Sequence, residues 1–523
     1  MTRIMIVATC TLWVLLICQA YCLEPAVSIN GRGQIFITER LRVNQFGFRI
    51  ADMMVDLLSP NLDDRYCANS WQQGLDDLKT ASPNGEITHV QLRTFWKIPN
   101  ISDQTTWNTP LLGAYDEPNG GQQAMVDNWK NWIFGSPTEP AYEPCVAKRI
   151  HNAGFKLEFC LSTAWTGNGT IADSIPVFND RNESDYPSFN GELFLQNYMD
   201  NCLIPVTQFL ASSPNFLSGD IFMLSFEMCY PYCDFAWSHN EKWTSIIQTV
   251  RDIFRAAGKS VPLTIDHNSW YNDFGLGYNA VKLLNADAPI DAETRGISGA
   301  SYLKELDFIS LSFWLELLRE EDIPTTWNDT HIDTLVLPAW SNCPRWYKVG
   351  TGYNSVPGQW GRDFLADFGA LSKVMNDTKI LLNTGWENGH ETLYYSGRLS
   401  GGSYDNEAQK VAWAGQVRAV RKQSWCAGQD FERYCEDKQS DPSLIDTSWR
   451  KSIAEAAIIQ EIRAPAIRSA DTNGDGKVDV YDAITLANAF GSQEGSDKWN
   501  EDCDLNGDLK VDVFDGLILA RSF

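Results

Sequence analysis

The chain has 523 residues, of which 44% are hydrophobic and 21% are charged, and its formal net charge is −25. This length and composition are typical of a folded protein with more than one domain and exclude an intrinsically disordered chain. The negative charge disfavours nucleic acid and anionic membranes as partners, because their phosphate groups repel it. The 20 tryptophans provide flat apolar faces that suit both core packing and stacking on sugars.

Residues 1–22 are typical of a secretory signal peptide. Arg3 precedes an apolar run from Ile4 to Ile17, and cleavage after Ala20 or Cys22 fits the pattern of such signals. The run is shorter than a comfortable membrane span, and no later stretch approaches about 20 apolar residues. We therefore expect a secreted, extracellular protein with no membrane span after signal removal; an uncleaved anchor helix is the alternative.

Cysteine usage agrees with export. Ten cysteines follow the signal, an even number that allows five disulfide bridges, and their spacings match no zinc site. Five N-glycosylation sequons are compatible with exposed loops of a secreted glycoprotein. The cysteines are Cys67, Cys145, Cys160, Cys202, Cys229, Cys233, Cys343, Cys426, Cys435 and Cys503, and the sequons start at Asn100, Asn168, Asn182, Asn328 and Asn376.

Alternation of strand-like and helix-like segments predicts the fold of residues 23–465. Eight strand-like segments with helical partners favour a (β/α)8 TIM barrel, an α/β fold. A doubly wound open sheet is the alternative, although no Gly-rich phosphate loop follows any strand. The predicted strands lie within Val43–Leu58 and at Ile87–Phe95, Phe155–Thr163, Ile221–Phe226, Val261–Ile265, Leu306–Phe313, Lys379–Leu382 and Gln423–Ala427, with long helices at Lys242–Ala257 and Pro442–Arg463.

Acidic and aromatic residues recur at the ends of the predicted strands. In a TIM barrel these ends carry the chemistry, and a purely structural barrel does not need such residues there. The loop 315–361 contains four tryptophans, and we expect it to form a cleft wall rather than a packed cover. The candidate substrate-binding residues are Arg93, Trp96, Trp165, Asp266, His267, Trp270, Trp314, Asn383 and Trp386, and further carboxylates are Glu316, Asp430 and Glu432.

Two glutamates are the candidate catalytic pair. Glycoside hydrolysis needs two carboxyl groups across the scissile bond. Glu227 ends a strongly apolar strand, where partial burial would raise its pKa toward that of a general acid. Glu387 follows the seventh strand within KILLNTGWENG. A glutamate that bonds to backbone at a strand end is the structural alternative for Glu227.

These motifs resemble the retaining glycoside hydrolases of clan A, a TIM-barrel superfamily that includes mannanases and cellulases. The resemblance is carried in chain order by Arg93, by Glu227, by WTSIIQTVRDIF with VPLTIDHNSW, and by DFISLSFW. It implies a retaining enzyme that cleaves a β-linked polysaccharide, with Glu227 as acid/base. Phe226 stands where the clan usually has Asn before that glutamate.

The seventh strand departs from the clan pattern. The position two residues before Gly385-Trp386, where the clan has its nucleophile Glu, is Asn383. Three interpretations remain open: Glu387 has taken over, the strand is shifted in register, or the barrel is a catalytically inactive glycan-binding module displayed on a scaffold. A purely structural extracellular protein is a further alternative.

Residues 466–523 contain two loops with oxygen side chains at positions 1, 3, 5, 9 and 12, DTNGDGKVDVYD and DLNGDLKVDVFD. Calcium needs 6–8 oxygen ligands around a compact loop, and this spacing supplies them. Each loop runs directly into an apolar helix, so we predict a small all-α calcium-binding module. The predicted ligands are Asp471, Asn473, Asp475, Asp479 and Asp482 with the Lys477 carbonyl, and Asp504, Asn506, Asp508, Asp512 and Asp515 with the Lys510 carbonyl.

The two loop–helix repeats resemble a type I dockerin module. That resemblance implies docking to a cohesin-like domain on a scaffold protein; a calcium-stabilised tail without a partner is the alternative. Position 6 of the second loop is Leu509, where Gly is usual, so we expect strain in that turn.

Overall fold

The structure is a computed structural model. It describes residues 23–29, 35–41, 48–52, 71–98, 111–113, 130, 133–135, 144–165, 191–225, 240–268, 301–312, 316–349, 355–374, 377–386, 390–394, 405–431, 452–463, 470, 472–473, 478–493, 496–505 and 510–520. Within these residues, no helix is long and apolar enough to cross a lipid bilayer.

Fourteen strands are described. Two pairs form antiparallel hairpins, β1 with β2 and β11 with β12, while β5 pairs antiparallel with β4. In chain order the strands are β1 (Leu23–Ile29), β2 (Ile35–Leu41), β3 (Phe48–Asp52), β4 (His89–Ile98), β5 (Leu111–Gly113), β6 (Lys156–Trp165), β7 (Ile221–Met223), β8 (Leu263–Thr264), β9 (Asp266–Asn268), β10 (Phe308–Ser312), β11 (Cys343–Val349), β12 (Ser355–Arg362), β13 (Lys379–Thr384) and β14 (Cys426–Phe431).

The large sheet closes into a barrel. Its order is β8-β7-β6-β4-β3-β14-β13-β10-β9, and every adjacent pair in that order is parallel. Only Ile265 separates β8 from β9, so the two ends of the order are halves of one strand. Leu224 N donates to Thr264 O on one side of that strand (2.8 Å), and Ser310 N donates to Ile265 O on the other (3.2 Å). The predicted eight-stranded barrel is confirmed, and the open sheet is excluded.

Helices surround the barrel strands. The predicted helix Lys242–Ala257 is confirmed at Asn240–Ala256, and the last barrel helix is described from Ile453 to Arg463. Two π-helical segments occur, Met199–Leu203 and Ile332–Val336. The α-helices are α1 (Trp71–Ala81), α2 (Val146–Ala153), α3 (Gly191–Tyr198), α4 (Ile204–Ser212), α5 (Asn240–Ala256), α6 (Leu337–Ser341), α7 (Phe364–Val374), α8 (Asn406–Val420), α9 (Ile453–Arg463), α10 (Val480–Ala489) and α11 (Val513–Ala520).

The barrel strands bury both faces. Outward residues such as Ile309 and Leu382 pack with the helices in one large outer core. Their neighbours Phe308 and Leu381 belong to a separate inner cluster, because successive side chains of a strand point to opposite faces. That inner apolar cluster, which fills the lower part of the barrel, consists of Ile50, Ile221, Phe308, Leu381 and Ala427.

One glycine is required where two barrel strands meet. Gly428 in β14 has φ +157, and a Cβ atom there would lie 1.9 Å from the backbone oxygen of Phe48 in β3. The register between β13 and β14 shifts at this point, between the pairs Ile380–Cys426 and Leu381–Gly428. The bulge turns Asp430 into the barrel interior.

The tryptophans of loop 315–361 do not form the expected cleft wall where they are described. Trp340 is fully buried and packs edge-on against Phe364, with ring centroids 6.5 Å apart. Trp327 is also buried, and its indole Nε1 donates to His390 O at 2.8 Å. Both belong to the outer core, and the helical turns at 330–341 contribute further residues to that core. The structure does not describe the side chains of Trp346 and Trp360.

The cysteines do not form the expected five bridges. Six of them are buried thiols, Cys145, Cys160, Cys202, Cys343, Cys426 and Cys503. Five bridges are therefore excluded, because an even count says nothing about which cysteines are neighbours in space. The remaining four, Cys67, Cys229, Cys233 and Cys435, lie outside the described residues.

The buried thiols should resist modification in the native protein. Burial raises the pKa of Cys426 to about 12 and, together with nearby aspartates, that of Cys503 to about 11, so little thiolate exists at pH 8. We expect a chromogenic disulfide reagent to leave all six unmodified for hours, and to label all of them in guanidinium. Peptide mapping by mass spectrometry checks this. Rapid native labelling of any of the six contradicts their burial.

The C-terminal residues form their own small core. It is built by Ala470, Leu486, Ala489, Cys503, Leu505, Val511 and Leu519. Gln493 and Lys510 form an antiparallel bridge that joins the two loop–helix repeats. A core of this size is marginal for a free-standing module.

Candidate functional site

The upper part of the barrel interior is polar. On three strands an apolar inward residue is followed, toward the carboxyl end, by polar ones: Phe308 by two serines, Leu381 by Asn383, and Ala427 by Asp430. In a TIM barrel the active site lies at this end. We call the buried polar side chains of the barrel interior the polar layer; its members are Gln91, Glu158, Asp266, Ser310, Ser312, Asn383 and Asp430.

Asp266 is the centre of one hydrogen-bond network in the polar layer. Ser310 Oγ donates to its Oδ1 and Ser312 Oγ donates to its Oδ2, each at 2.5 Å. A serine hydroxyl carries one proton, so Ser312 Oγ, which donates to Asp266, accepts from its other neighbours. Asn383 must then turn its amide group to Ser312, and its Nδ2 donates to Ser312 Oγ at 3.1 Å. The Oδ1 of Asn383 has no hydrogen-bond partner among the described atoms.

Gln91 joins two further carboxylates in the polar layer. Its Nε2 donates to Glu158 Oε2 at 3.1 Å and to Asp430 Oδ2 at 2.5 Å. Glu158, Asp266 and Asp430 are fully buried inside the barrel. Ionised carboxylates in such a site stabilise positive charge that develops on a bound molecule, as in an oxocarbenium-like transition state.

The loop after β13 is held at residues 390–394. Leu317 N and Leu318 N both donate to Leu393 O, at 2.9 and 3.0 Å. Arg345 Nη1 donates to Tyr394 O at 2.9 Å, and the guanidinium lies 4.2 Å from the centroid of the Tyr394 ring. These contacts fix the chain shortly after Glu387.

Glu316 is part of the same support. Its Oε2 pairs with Arg345 Nη2 at 2.6 Å. We therefore assign Glu316 to an ion pair that holds a loop, and not to the reaction.

Two predicted substrate-binding residues face the outer core instead of the barrel mouth. His267 Nε2 hydrogen-bonds the Tyr302 hydroxyl at 2.8 Å, and burial lowers the pKa of this histidine to about 4. Trp386 is fully buried, and its Nε1 donates to Gln416 Oε1 at 2.7 Å. This geometry contradicts the predicted contact of either side chain with substrate.

The other predicted residues divide into three groups. Asp266 and Asn383 come together in the polar layer through Ser312. Three further predicted residues lie in barrel strands, Arg93 and Trp96 in β4 and Trp165 at the end of β6. The structure describes their backbone but not their side chains. Glu227, Trp270, Trp314, Glu387 and Glu432 lie outside the described residues.

Four members of the polar layer were not predicted: Gln91, Glu158, Ser310 and Ser312. A signal for them exists in the strand sequences. In FISLS both serines follow Phe308 at a period of two, which places them on its inward face. Glu158 is an acidic residue within the mostly apolar sequence of β6, which is a second signal.

In the C-terminal module the first loop closes on Asp482. Its Oδ1 accepts from Asn473 N at 3.1 Å, and its Oδ2 accepts from Asp479 N at 2.8 Å. Burial would raise the pKa of Asp482, but hydrogen bonds from the backbone of Asp479, Asn473 and Thr472 outweigh it and lower that pKa. Position 12 of the loop thus presents an ionised carboxylate next to positions 2 and 3.

The second loop repeats this arrangement. Asp512 N donates to Asp515 Oδ2 at 2.6 Å, and Phe514 N donates to Asp512 Oδ1 at 2.8 Å. Asp504 and Asp515 are fully buried. Burial first, and then the charges of Asp502, Asp515 and Asp482, raise the pKa of Cys503.

These acidic residues fit calcium. Buried carboxylates at positions 1 and 12 need a cation, and oxygen ligands are those that calcium prefers. In the described part of the chain, no cluster of three or more acidic, His or Cys side chains is close enough to hold a metal. Five of the predicted ligands lie outside the described residues, namely Asp471, Asp475, Lys477, Asn506 and Asp508.

The first turns of α10 and α11 expose apolar side chains at matching positions. Tyr481 is 63% exposed and Phe514 is 60% exposed. We call these sets the α10 face (Val480, Tyr481, Ile484) and the α11 face (Val513, Phe514, Leu517). Residues 469–523 match the family model of the dockerin type I domain. The C-terminal module is a type I dockerin.

Several solved glycoside hydrolases are similar to this chain at low sequence identity. A GH113 β-1,4-mannanase has 10% identity and a TM-score of 0.43, over 80% of this chain and 99% of that one. The GH113 β-mannanase AaManA from Alicyclobacillus acidocaldarius has 11% identity and a TM-score of 0.43, and the match covers 80% of this chain and 97% of that one. The Prevotella bryantii endo-β-mannanase/endo-β-glucanase PbGH26A-GH5A has 14% identity and a TM-score of 0.40, and the match covers 80% of this chain and 49% of that one. No curated protein sequence matches, and the barrel assignment rests on the strand order above.

Proposed function

We propose that the barrel is a secreted glycoside hydrolase that cleaves a β-linked polysaccharide. The observation that carries this proposal is the polar layer, which places three buried carboxylates inside a closed barrel. Strand β7 leads into that layer: Ser225 O accepts from Asp266 N at 2.9 Å. Glu227 follows Ser225 by two residues in the sequence.

We assign the acid/base role to Glu227 and the second carboxylate to Glu387. In this scheme Glu227 protonates the leaving oxygen, while Glu387 attacks the anomeric carbon or activates a water for that attack. The negative polar layer stabilises the positive charge that develops on the sugar. A separation of about 5–5.5 Å between the two carboxyl groups corresponds to the expected retention of configuration, and about 6.5–9.5 Å to inversion.

A specific observation favours a second candidate function. Asn383, at the position of the clan nucleophile, is an amide that is hydrogen-bonded to Ser312. An amide cannot form the glycosyl-enzyme intermediate, so the barrel would then bind glycans without cleaving them.

Reducing-sugar release from mannans, β-glucans, xylans and galactans distinguishes the candidates. Release supports the hydrolase, and binding of a polysaccharide without release supports the glycan-binding barrel. If no glycan is bound or cleaved, both are wrong and a structural role remains.

For the dockerin we propose calcium-dependent attachment to a cohesin-like domain of an extracellular scaffold protein. The α10 and α11 faces support this, because exposed aromatic and aliphatic side chains next to polar loops are typical of protein interfaces.

Charged substitutions on both faces should abolish attachment. The double variant Tyr481→Glu with Phe514→Glu is expected to bind cohesin domains at least about 100-fold more weakly, because each buried aromatic anchor contributes roughly 2 kcal/mol or more. Each single variant retains one intact face and should lose less. Calorimetric titration with a panel of cohesin domains in calcium measures this, with the exposed Lys498→Glu as control. Unchanged binding of the double variant contradicts the assignment of both faces.

A further inference from the structure

Tyr198 makes a buried contact with the chain just after β7. It is the last residue of α3, its side chain is buried, and its hydroxyl donates to the backbone oxygen of Leu224. Leu224 directly follows the end of β7 at Met223. Burial, with a smaller contribution from Cys202, raises the pKa of Tyr198 well above its usual value, so the hydroxyl remains a proton donor.

The hydrogen bonds around Leu224 reveal a shift in the ladder between β7 and β8–β9. Phe222 N donates to Pro262 O at 3.0 Å, and Leu224 N donates to Thr264 O at 2.8 Å, as in a regular parallel pair. A regular ladder would next pair Asp266 N with Leu224 O. Asp266 N instead donates to Ser225 O at 2.9 Å. One residue is therefore inserted in the β7 chain, as in a β-bulge.

The bulge releases the backbone oxygen of Leu224 from the sheet. A buried carbonyl without a partner is costly, and the Tyr198 hydroxyl provides that partner. A bulge at a strand end changes the direction of the residues that follow it, and bulges are frequent next to active sites. Here the residues that follow lead directly to Glu227.

The helix that carries Tyr198 is irregular at the same place. The π-helical segment Met199–Leu203 begins at the next residue and joins α3 to α4. π-helical turns are rare and occur frequently at functional sites.

We propose that Tyr198 is a positioning residue, which holds the bulge at Leu224–Ser225 and thereby sets the direction of the chain that carries Glu227. This inference rests on the proposed hydrolase function. Tyr198 acts through the backbone of β7 and does not touch the substrate.

The variant Tyr198→Phe tests this with a matched control. It removes one buried hydroxyl, as does Tyr302→Phe, whose hydroxyl bonds the outward-facing His267. We expect Tyr198→Phe to lower kcat by about 10- to 100-fold, because small displacements of a reacting group reduce rates by such factors. KM should change less than about twofold, and the limb of the kcat–pH profile that reports the general acid should move. Tyr302→Phe should leave kcat and the profile as in the wild type, with a similar loss of Tm.

Equal kcat values and pH profiles for the two variants would overturn the proposal, because a structural hydroxyl would behave in that way. If the wild type releases no sugar, the proposed function fails separately, and hydrogen exchange decides the positioning role. Tyr198→Phe should then accelerate exchange of the Asp266 amide and of the amides after Met223, while Tyr302→Phe should not. Unchanged exchange at these amides would also overturn the proposal.

Discussion

Replacement of Glu227 by Gln is expected to lower kcat/KM for polysaccharide hydrolysis by about 10²- to 10⁴-fold, the usual contribution of a general acid. Glutamine has the same shape but cannot donate the proton that the leaving sugar oxygen needs. Substrate binding should persist, because the polar layer and the fold remain intact. Initial rates on the best polysaccharide of the panel, together with binding measurements on the same polymer, check this result.

Aryl glycosides sharpen the measurement. Their phenolate leaving groups need little protonation, so Glu227→Gln should reduce their cleavage much less than that of the polysaccharide. Glu387→Gln should instead lower the rates on both substrates, because the second carboxylate acts on the anomeric carbon in each case.

Glu316→Gln is the matched control for Glu227→Gln. Glu316 is also a carboxylate after a barrel strand, but it pairs with Arg345 at 2.6 Å and supports a loop, so we expect Glu316→Gln to lower the rates far less than Glu227→Gln does. Wild-type polysaccharide rates in Glu227→Gln would show that the acid lies elsewhere. Asp430 would then be the first carboxylate to test.

Removal of calcium is expected to unfold the dockerin and leave the barrel folded. The module has a core of only seven buried apolar residues, and it buries the carboxylates of Asp482, Asp504 and Asp515. Without a cation these like charges repel each other, and small modules of this type obtain much of their folding free energy from the metal. A calorimetric scan with chelator should lose the dockerin transition and retain the barrel transition.

Readdition of calcium, but not of magnesium at the same concentration, should restore the dockerin transition, because magnesium demands a tighter octahedral site and gives up its waters reluctantly. Asp482→Ala should weaken calcium binding, whereas Asp497→Ala, at an exposed position between the two loops, should not. A chelator scan identical to the calcium scan would contradict the metal's structural role.

The barrel strands were predictable because their signal is local. Phe308–Ser312 alternates between an inward and an outward row, and it appears at the predicted place. The eighth strand begins three residues later than predicted, since Trp425 packs in the outer core and the bulge at Gly428 shifts the register.

Two predicted substrate-binding residues, His267 and Trp386, face the outer core instead of the barrel mouth. Asp266 faces inward, so its neighbour His267 must face outward, toward Tyr302. Proximity to a strand end was therefore a weaker criterion than the alternation of faces. Trp386 shows a second limit, because its partner Gln416 lies in α8, and a hydrogen bond between distant elements has no signature in the sequence.

The two dockerin loops were predictable from the sequence alone, because all the proposed calcium ligands of each loop lie within twelve consecutive residues at a characteristic spacing. The barrel interior was decided by the tertiary structure. Gln91 bridges Glu158 and Asp430, which are 67 and 339 residues away along the chain. Only closure of the sheet brings such residues together, and for the same reason the contact of Tyr198 with Leu224 depends on how a helix packs against the barrel strand.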